Sequence, residues 1–192
     1  MNKIGVEIGS KVIVFNTIDS TQKEAKRRIK NNEQNGTIIW AKEQSSGCGT
    51  HGRKWYSGKE TNIAFTVILY PNCDIKNLEN ITIVIANSIV KTIRELYGYE
   101  LEIKKPNDLM LNGKKIGGIL TEITTRGEVV ETLLIGIGFN VNQKEMPEEL
   151  QNIATSLAIE YDKKFKIEEI GKKIILNLKK DIWVIFHDLG LH

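Results

Sequence analysis

Residues 135–142 read Ile-Gly-Ile-Gly-Phe-Asn-Val-Asn, and this stretch narrows the fold more than any other. Strict alternation over this length is the period of a β-strand, not of a helix. Ile135, Ile137, Phe139 and Val141 point one way and require a core. Gly136, Gly138, Asn140 and Asn142 point the other way, so the second face is cleared of side chains and ends in amides. Such glycines either admit a tightly packed helix or leave a floor on which a flat ligand lies.

Partners for this strand are found on both sides of it. Residues 11–16, 37–42, 62–70, 101–104, 109–111, 115–124 and 129–142 read as strands, with turns at Asn112-Gly113 and Arg126-Gly127. Thr21-Gln22-Lys23-Glu24 has the capping-box pattern and predicts a helix from there to about Asn31. Leu78, Ile81, Ile85, Ile89, Ile93 and Leu96 recur at spacings of three and four and predict a long buried helix. Ile167, Ile170, Ile174, Leu178 and Ile182 predict a last amphipathic helix, followed only by residues 183–192. The expected fold is α+β, a central mixed but largely antiparallel sheet covered by helices, with residues 1–192 as a single domain.

Bulk properties exclude several classes. Hydrophobic content of 41% and charge of 27% are ordinary for a globular chain. A net charge of +3, without a long basic block, gives no footprint for nucleic acid. Cys48 and Cys73 form neither metal spacing nor a disulfide framework, and His51, His187 and His192 form no constellation, so no metal ligands are assigned. No apolar run spans a membrane, and residues 1–10 are too polar for a leader; the expected location is a reducing cytoplasm.

Two segments carry the chemistry. Residues 104–122, KKPNDLMLNGKKIGGILTE, place lysine pairs beside a Pro-Asn-Asp turn and a Gly-Gly strand, which suggests an anion approached closely by backbone. Residues 44–55, QSSGCGTHGRKW, space Gly47, Gly49 and Gly52 so that successive N–H groups can converge on an anion. The second is no P-loop, because no Gly-Lys-Ser/Thr closes it. It is a poor dinucleotide fingerprint, because it runs into Arg53-Lys54-Trp55 rather than an apolar helix.

Together these segments resemble the catalytic domain of the biotin–protein ligases. That family has a Gln followed by a Gly-Arg-Gly-Arg-x-Gly-Arg-x-Trp loop, a Lys-Trp-Pro-Asn-Asp motif and a Lys-x-x-Gly-Ile-Leu-x-Glu strand. Here they stand as residues 44–55, residues 104–108 and residues 115–122. The earlier Asp-Ser-Thr is similar to Asp19-Ser20-Thr21, and the later Gly-x-Gly-x-Asn to residues 136–140. The resemblance runs from about residue 13 to at least residue 157.

It implies ATP-dependent activation of biotin to biotinyl-5′-AMP, usually with Mg²⁺, then transfer to a lysine on the biotin carboxyl carrier domain of a biotin-dependent carboxylase. By motif position, Ser20, Thr21, Gln22, Gln44, Gly47, Cys48, Gly49, Thr50, Trp55, Lys115 and Gly118 are implied biotin contacts. Arg53, Lys104, Asn107, Asp108 and Asn140 are implied nucleotide contacts, and Lys115, Arg53 and Lys104 the catalytic cations. Bland roles stand beside these: helix capping for Thr21, loop anchoring for Trp55, an ordinary turn for Asn107 and Asp108.

The chain departs from the pattern at three positions. Cys48 and Thr50 replace loop arginines, and Lys105 replaces the Trp before Pro106. The expectation is a weaker grip on the adenylate, offset in part by Arg53, Lys54 or Lys105. Too few residues follow Ile182 for the family's C-terminal β-barrel, and too few precede Ser20 for a DNA-binding domain, so a minimal enzyme, a fragment or a form assisted by another chain is expected. Relatives are monomers or homodimers. The competing readings are a lipoyl- or octanoyl-transferring relative and a non-catalytic biotin-binding module.

Overall fold

A computed structural model describes residues 7–188. Most of the polar segment weighed above as a leader, and His192, lie outside the described residues. Along the chain run β1 (Val12–Phe15), α1 (Thr21–Ile29), β2 (Ile38–Ala41), the short strands β3 (Gly47–Cys48) and β4 (Lys54–Trp55), and β5 (Asn62–Leu69). Then come β6 (Cys73–Asp74), α2 (Ile81–Tyr97), β7 (Glu102–Lys104), β8 (Asp108–Leu111), β9 (Lys114–Arg126), β10 (Val129–Asn140), α3 (Leu157–Tyr161) and α4 (Ile167–Asp188).

The strands order as β1-β2-β5-β10-β9-β8-β7, with β6 beside the start of β10. β1 and β2 pair in parallel; the other neighbours are antiparallel. The sheet is therefore mixed and largely antiparallel, as expected. Asn112 and Gly113 both take positive φ, 49° and 76°, which a tight hairpin between β8 and β9 requires. At the next hairpin Arg126 still pairs with Val129, so the turn residues are Gly127 and Glu128, one position later than expected.

One face of the sheet is core. Ile63, Phe65, Val67, Ile135, Ile137 and Phe139 are at most 3% exposed and pack under α2 and α4. Burial of each such side chain is worth roughly 1.5–3 kcal/mol. On the opposite face a smaller cluster, Ala25, Ile39, Ile68 and Leu134, seats α1 over one end only. The rest of that face is left for the site.

Three boundaries differ from expectation. The cap of α1 is Ser20, whose Oγ accepts from the Gln22 N–H; Thr21 is the first helical residue and its hydroxyl is turned elsewhere. Leu78 belongs to a separate 3₁₀ turn capped by Asp74, although it is buried with the helix that follows. α4 runs past Ile182, to Asp188, because Ile185 and Phe186 continue its apolar stripe onto the core.

Glu33 joins the elements around α1. Its carboxylate accepts from Lys11 before β1, from Arg28 in α1, from the Gln34 N–H and from the Thr37 hydroxyl before β2. Burial pushes this carboxyl up, but Lys11, the Gln34 amide and Arg28 outweigh it and hold it at about 2. A depressed carboxylate stabilises the fold above its unfolded pKa and loses that contribution as pH falls through its folded value. Glu33→Gln is expected to lower stability at pH 7 by about 1 kcal/mol after solvent screening. The variant should also flatten the loss of stability between pH 4.5 and 2. Urea midpoints across that range check it.

Candidate active site

The site begins with one row of small residues. Ala64, Gly138 and Gly118 lie side by side on β5, β10 and β9, and Asp108 continues the row on β8. A Cβ on Gly138 would stand 2.4 Å from Cε2 of Trp55, and one on Gly118 3.4 Å from its Cζ3. The indole lies flat on the glycine floor, so these glycines admit a ring rather than a helix. In the next row a Cβ on Gly136 would meet Oε1 of Gln22 at 2.7 Å. The face that the alternation cleared is covered by side chains of α1 and of the glycine loop.

Lys115 reaches the same face through a bulge. Leu109 pairs with Gly117, but Met110 pairs with Lys115, so Ile116 is an extra residue in β9. Ile116 is buried in the core, and a Cβ on Gly117 would point there too, at Phe139 and Leu109. Two successive residues on the core side return Lys115 to the ligand side, where its Cε lies 3.3 Å from the Cβ position of Gly118. Its backbone is held from the far side by Ile153 and Thr155, through N–H···O bonds of 2.9 Å each. Its Nζ pairs with Asp108 at 2.6 Å and stands 5.8 Å over the Trp55 ring.

At the α1 end the polar groups are knitted together. The Thr21 N–H and hydroxyl both donate to Oε1 of Gln44, at 2.9 and 3.2 Å. The Gln44 oxygen is thereby committed, and what it retains for a ligand is the Nε2 donor. Asp19 faces away: Arg27 and the Ser20 N–H hold its carboxyl down at about 2, so it braces α1.

The loop from Cys48 to Lys54 is a hairpin closed by Gly49 N–H to Arg53 O at 2.7 Å. Its tip turns at His51 and Gly52, with φ of 55° and 72°. Arg53 folds back, donating from Nε to Thr50 O and from Nη2 to Thr50 Oγ1. The Trp55 indole N–H is buried and finds no acceptor among the described residues.

These elements enclose two adjoining recesses. The first is lined by Ser20, Thr21, Gln22, Gln44, Trp55 and Gly118 among others. The second, the larger of the two, is bordered by Arg53, Lys54, Lys104, Asp108 and Asn140. Gly49, Thr50, Trp55 and Lys115 line both and form the shared wall. Cys48 lines the first recess with its thiol toward Ser46 O. Gly47 lines neither; it is packed against Trp55 O and Gln44, where a Cβ would not fit.

Asn107 and Asn140 are committed to structure. The Asn107 amide donates to Ile119 O, and Asn140 donates to Thr155 O. Lys105 borders neither recess, unlike Arg53 and Lys54. Sequence reasoning missed Thr66, the one polar side chain in the middle of β5, and gave Glu122 no role. It also missed the wall formed by Met146, Leu150, Ile153 and Ala154. The lone threonine in an apolar strand was a usable signal; the aperiodic segment at 146–154 offered none.

A glycine-floored sheet thus presents Lys115 between a smaller recess and a larger one bordered by basic side chains. The family model of the biotin/lipoate A/B protein ligases matches residues 14–140, and the chain belongs to that family. It is 35% identical over 175 residues to the bifunctional ligase/repressor BirA of Bacillus subtilis, covering 90% of this chain and 54% of the relative. It is 33% identical over 125 residues to the biotin–[acetyl-CoA-carboxylase] ligase of Paracoccus denitrificans, covering 64% and 51%. The biotin protein ligase of Aquifex aeolicus, solved in complex with biotin and ATP, superposes with a TM-score of 0.76 at 32% identity, covering 90% of this chain and 70% of that one. The chain spans about half the length of the curated relatives it matches.

Gly138→Ala is expected to lift the Trp55 ring off the floor. It should make tryptophan emission more accessible to acrylamide and cost about 1–3 kcal/mol of stability. Trp55→Phe identifies the affected signal, and quenching unchanged by Gly138→Ala would place the ring elsewhere.

Proposed function

We propose that this chain joins biotin to ATP, giving biotinyl-5′-AMP and pyrophosphate, and then passes the biotinyl group to a lysine of a biotin carboxyl carrier domain. The observation that carries this reading is Lys115 on the wall shared by the two recesses. A cation there meets both a ligand carboxylate from the first recess and an α-phosphate from the second. Attack of that carboxylate oxygen on the α-phosphorus forms a P–O bond and breaks the bond to the β-phosphate, releasing pyrophosphate. Two anions must approach, and Lys115 lowers their repulsion most where charge accumulates. Asp108 holds the ammonium in place beforehand. In the second step the acceptor amine attacks the biotinyl carbonyl carbon, the bond to AMP breaks, and the amine proton is lost.

The first recess suits a cyclic urea. Gln44 Nε2 is a donor for the ureido oxygen, and the Thr21, Gln22 and Thr66 oxygens are acceptors for ring N–H groups. The dithiolane ring of a lipoyl group has nothing to offer these groups, which favours biotin over lipoate. The second recess is bordered by Lys54, Lys104 and Arg53, as a triphosphate requires. Asp108 is the one carboxylate in the wall of the second recess and would be the residue to hold a Mg²⁺ ion that accompanies the nucleotide. Held there, it would supply positive charge that offsets the phosphates. No helix among the described residues is long and apolar enough to cross a membrane, and the unpaired Cys48 and Cys73 fit a reducing cytoplasm.

Pyrophosphate release that depends on biotin and not on lipoate, together with labelling of an added carrier domain, is the expected result. Lys115→Met is expected to lower kcat roughly 10²–10³-fold, as loss of a group that stabilises developing charge does. Biotin binding without pyrophosphate would support a non-catalytic binding module instead.

Thr50 stands where relatives commonly carry an arginine, and the nearby Arg53 is turned back onto it. The proposed adenylate is therefore held by one charge-assisted contact fewer, worth roughly 1.5–3 kcal/mol. Thr50→Arg is expected to slow release of preformed biotinyl-5′-AMP by about 10–100-fold. Stopped-flow dissociation checks this, and an unchanged rate would show that Thr50 costs the site nothing.

A further inference from the structure

We infer that Glu122 sets the direction of the Gln22 side-chain amide and so fixes the hydrogen-bond polarity of the first recess; this rests on the reading of that recess as the biotin site. Gln22 is 4% exposed and lies over Gly136, with its Oε1 against the glycine floor. An amide in that position presents either an acceptor or a donor to a ligand, depending on which way it is turned. Its surroundings decide. Nε2 donates to Glu122 Oε2 at 2.6 Å, and an ionised carboxylate accepts only. The other carboxylate oxygen, Oε1, takes Lys26 Nζ at 2.8 Å. On its opposite side Gln22 Oε1 lies 3.0 Å from the Thr66 hydroxyl, which donates its single proton there or to Thr21. In either case Oε1 keeps a lone pair that no described donor takes, and Gln22 is among the residues lining the first recess.

Glu122 occupies this place because of strand register. Gly118, Leu120 and Glu122 follow one another at every second position of β9, so all three share the ligand face. Glu122 pairs across with Leu134, beneath α1, one row beyond the pairing of Leu120 with Gly136. Lys26 comes from the next turn of α1 after Gln22, which aligns the two along one helix face. The chain Lys26–Glu122–Gln22 is thus a relay of fixed sense. Gln22 is turned to receive an N–H from a ring, and Gln44, with its oxygen committed to Thr21, is turned to give one. A ligand that places an acceptor against Gln22 meets oxygen with oxygen. Glu122 acts through Gln22 and is a positioning residue for ligand choice.

Glu122→Gln reverses the relay. Lys26 still demands an oxygen, so the new amide turns its nitrogen to Gln22. Gln22 must then flip and present its own nitrogen to the recess. Biotin and its two cyclic carbamate analogues, each with one ureido N–H replaced by ring oxygen, are the probes. Affinities come from calorimetry, and KM and kcat from pyrophosphate release. In the wild type one carbamate should bind much more weakly than biotin. In Glu122→Gln, biotin affinity is expected to fall about 10–100-fold and its preference over that carbamate to shrink at least about tenfold, with kcat at saturating biotin within about threefold. Glu122→Ala, which removes the acceptor without adding a donor, should shrink the preference less. Gln22→Glu added to Glu122→Gln restores an oxygen facing the recess and should restore the preference. A preference unchanged in Glu122→Gln and Glu122→Ala, or not restored by the exchanged pair, would overturn the inference. A wild type that binds no biotin would instead overturn the functional reading on which it rests.

Discussion

The close approach of the Trp55 ring to Gly138 and Gly118 governs the rest of the molecule. A single β-carbon at Gly138 would occupy the position of the indole. That approach is available because β10 has two unlike faces: large apolar side chains toward α2 and α4, and hydrogen atoms toward the ligand loop. The core face makes the strand rigid, and the rigid strand makes a floor. A helix could not use the bare face without excluding the loop, and α1 accordingly stops at Ile39, Ile68 and Leu134.

Placement of charge follows from the same sheet. The extra residue Ile116 in β9 turns Lys115 from the core side to the ligand side, and Asp108, one strand over, receives it. The Lys115 and Asp108 side chains are 31% and 25% exposed, so their attraction is screened, and a bound anion can compete for the ammonium. At the opposite end of the first recess the polar groups are neutral, apart from Glu122, which Lys26 balances. A small recess neutral at one end and cationic at the other matches a ligand with a polar ring and a carboxylate tail.

Much of this was legible in the sequence, and the exceptions are instructive. The alternation in β10, the Asn112-Gly113 turn and the helical spacing of α2 are local and periodic, so the chain declares them. The glycine loop and Lys115 could be marked as neighbours from their residue types, and they do share one wall. The bulge at Ile116 was not, because one extra residue in a strand leaves no mark in composition. The commitment of Asn107, Asn140 and the Gln44 oxygen to backbone groups was hidden for a related reason. An amide's partners lie a dozen or more residues away. The cap of α1 lies one residue before the expected cap because Ser20 and Thr21 are both good caps, and only the backbone distinguishes them.

The most direct measurement follows the three indole N–H resonances of the ¹⁵N-labelled protein, assigned by Trp55→Phe, during a titration with biotin. A ligand that enters over the glycine floor beside Lys115 must move the Trp55 resonance, whose donor has no acceptor among the described residues, while Trp40 and Trp183 stay in place. A Trp55 resonance unmoved at saturating biotin would contradict the assignment of the first recess and, with it, the proposed chemistry at Lys115.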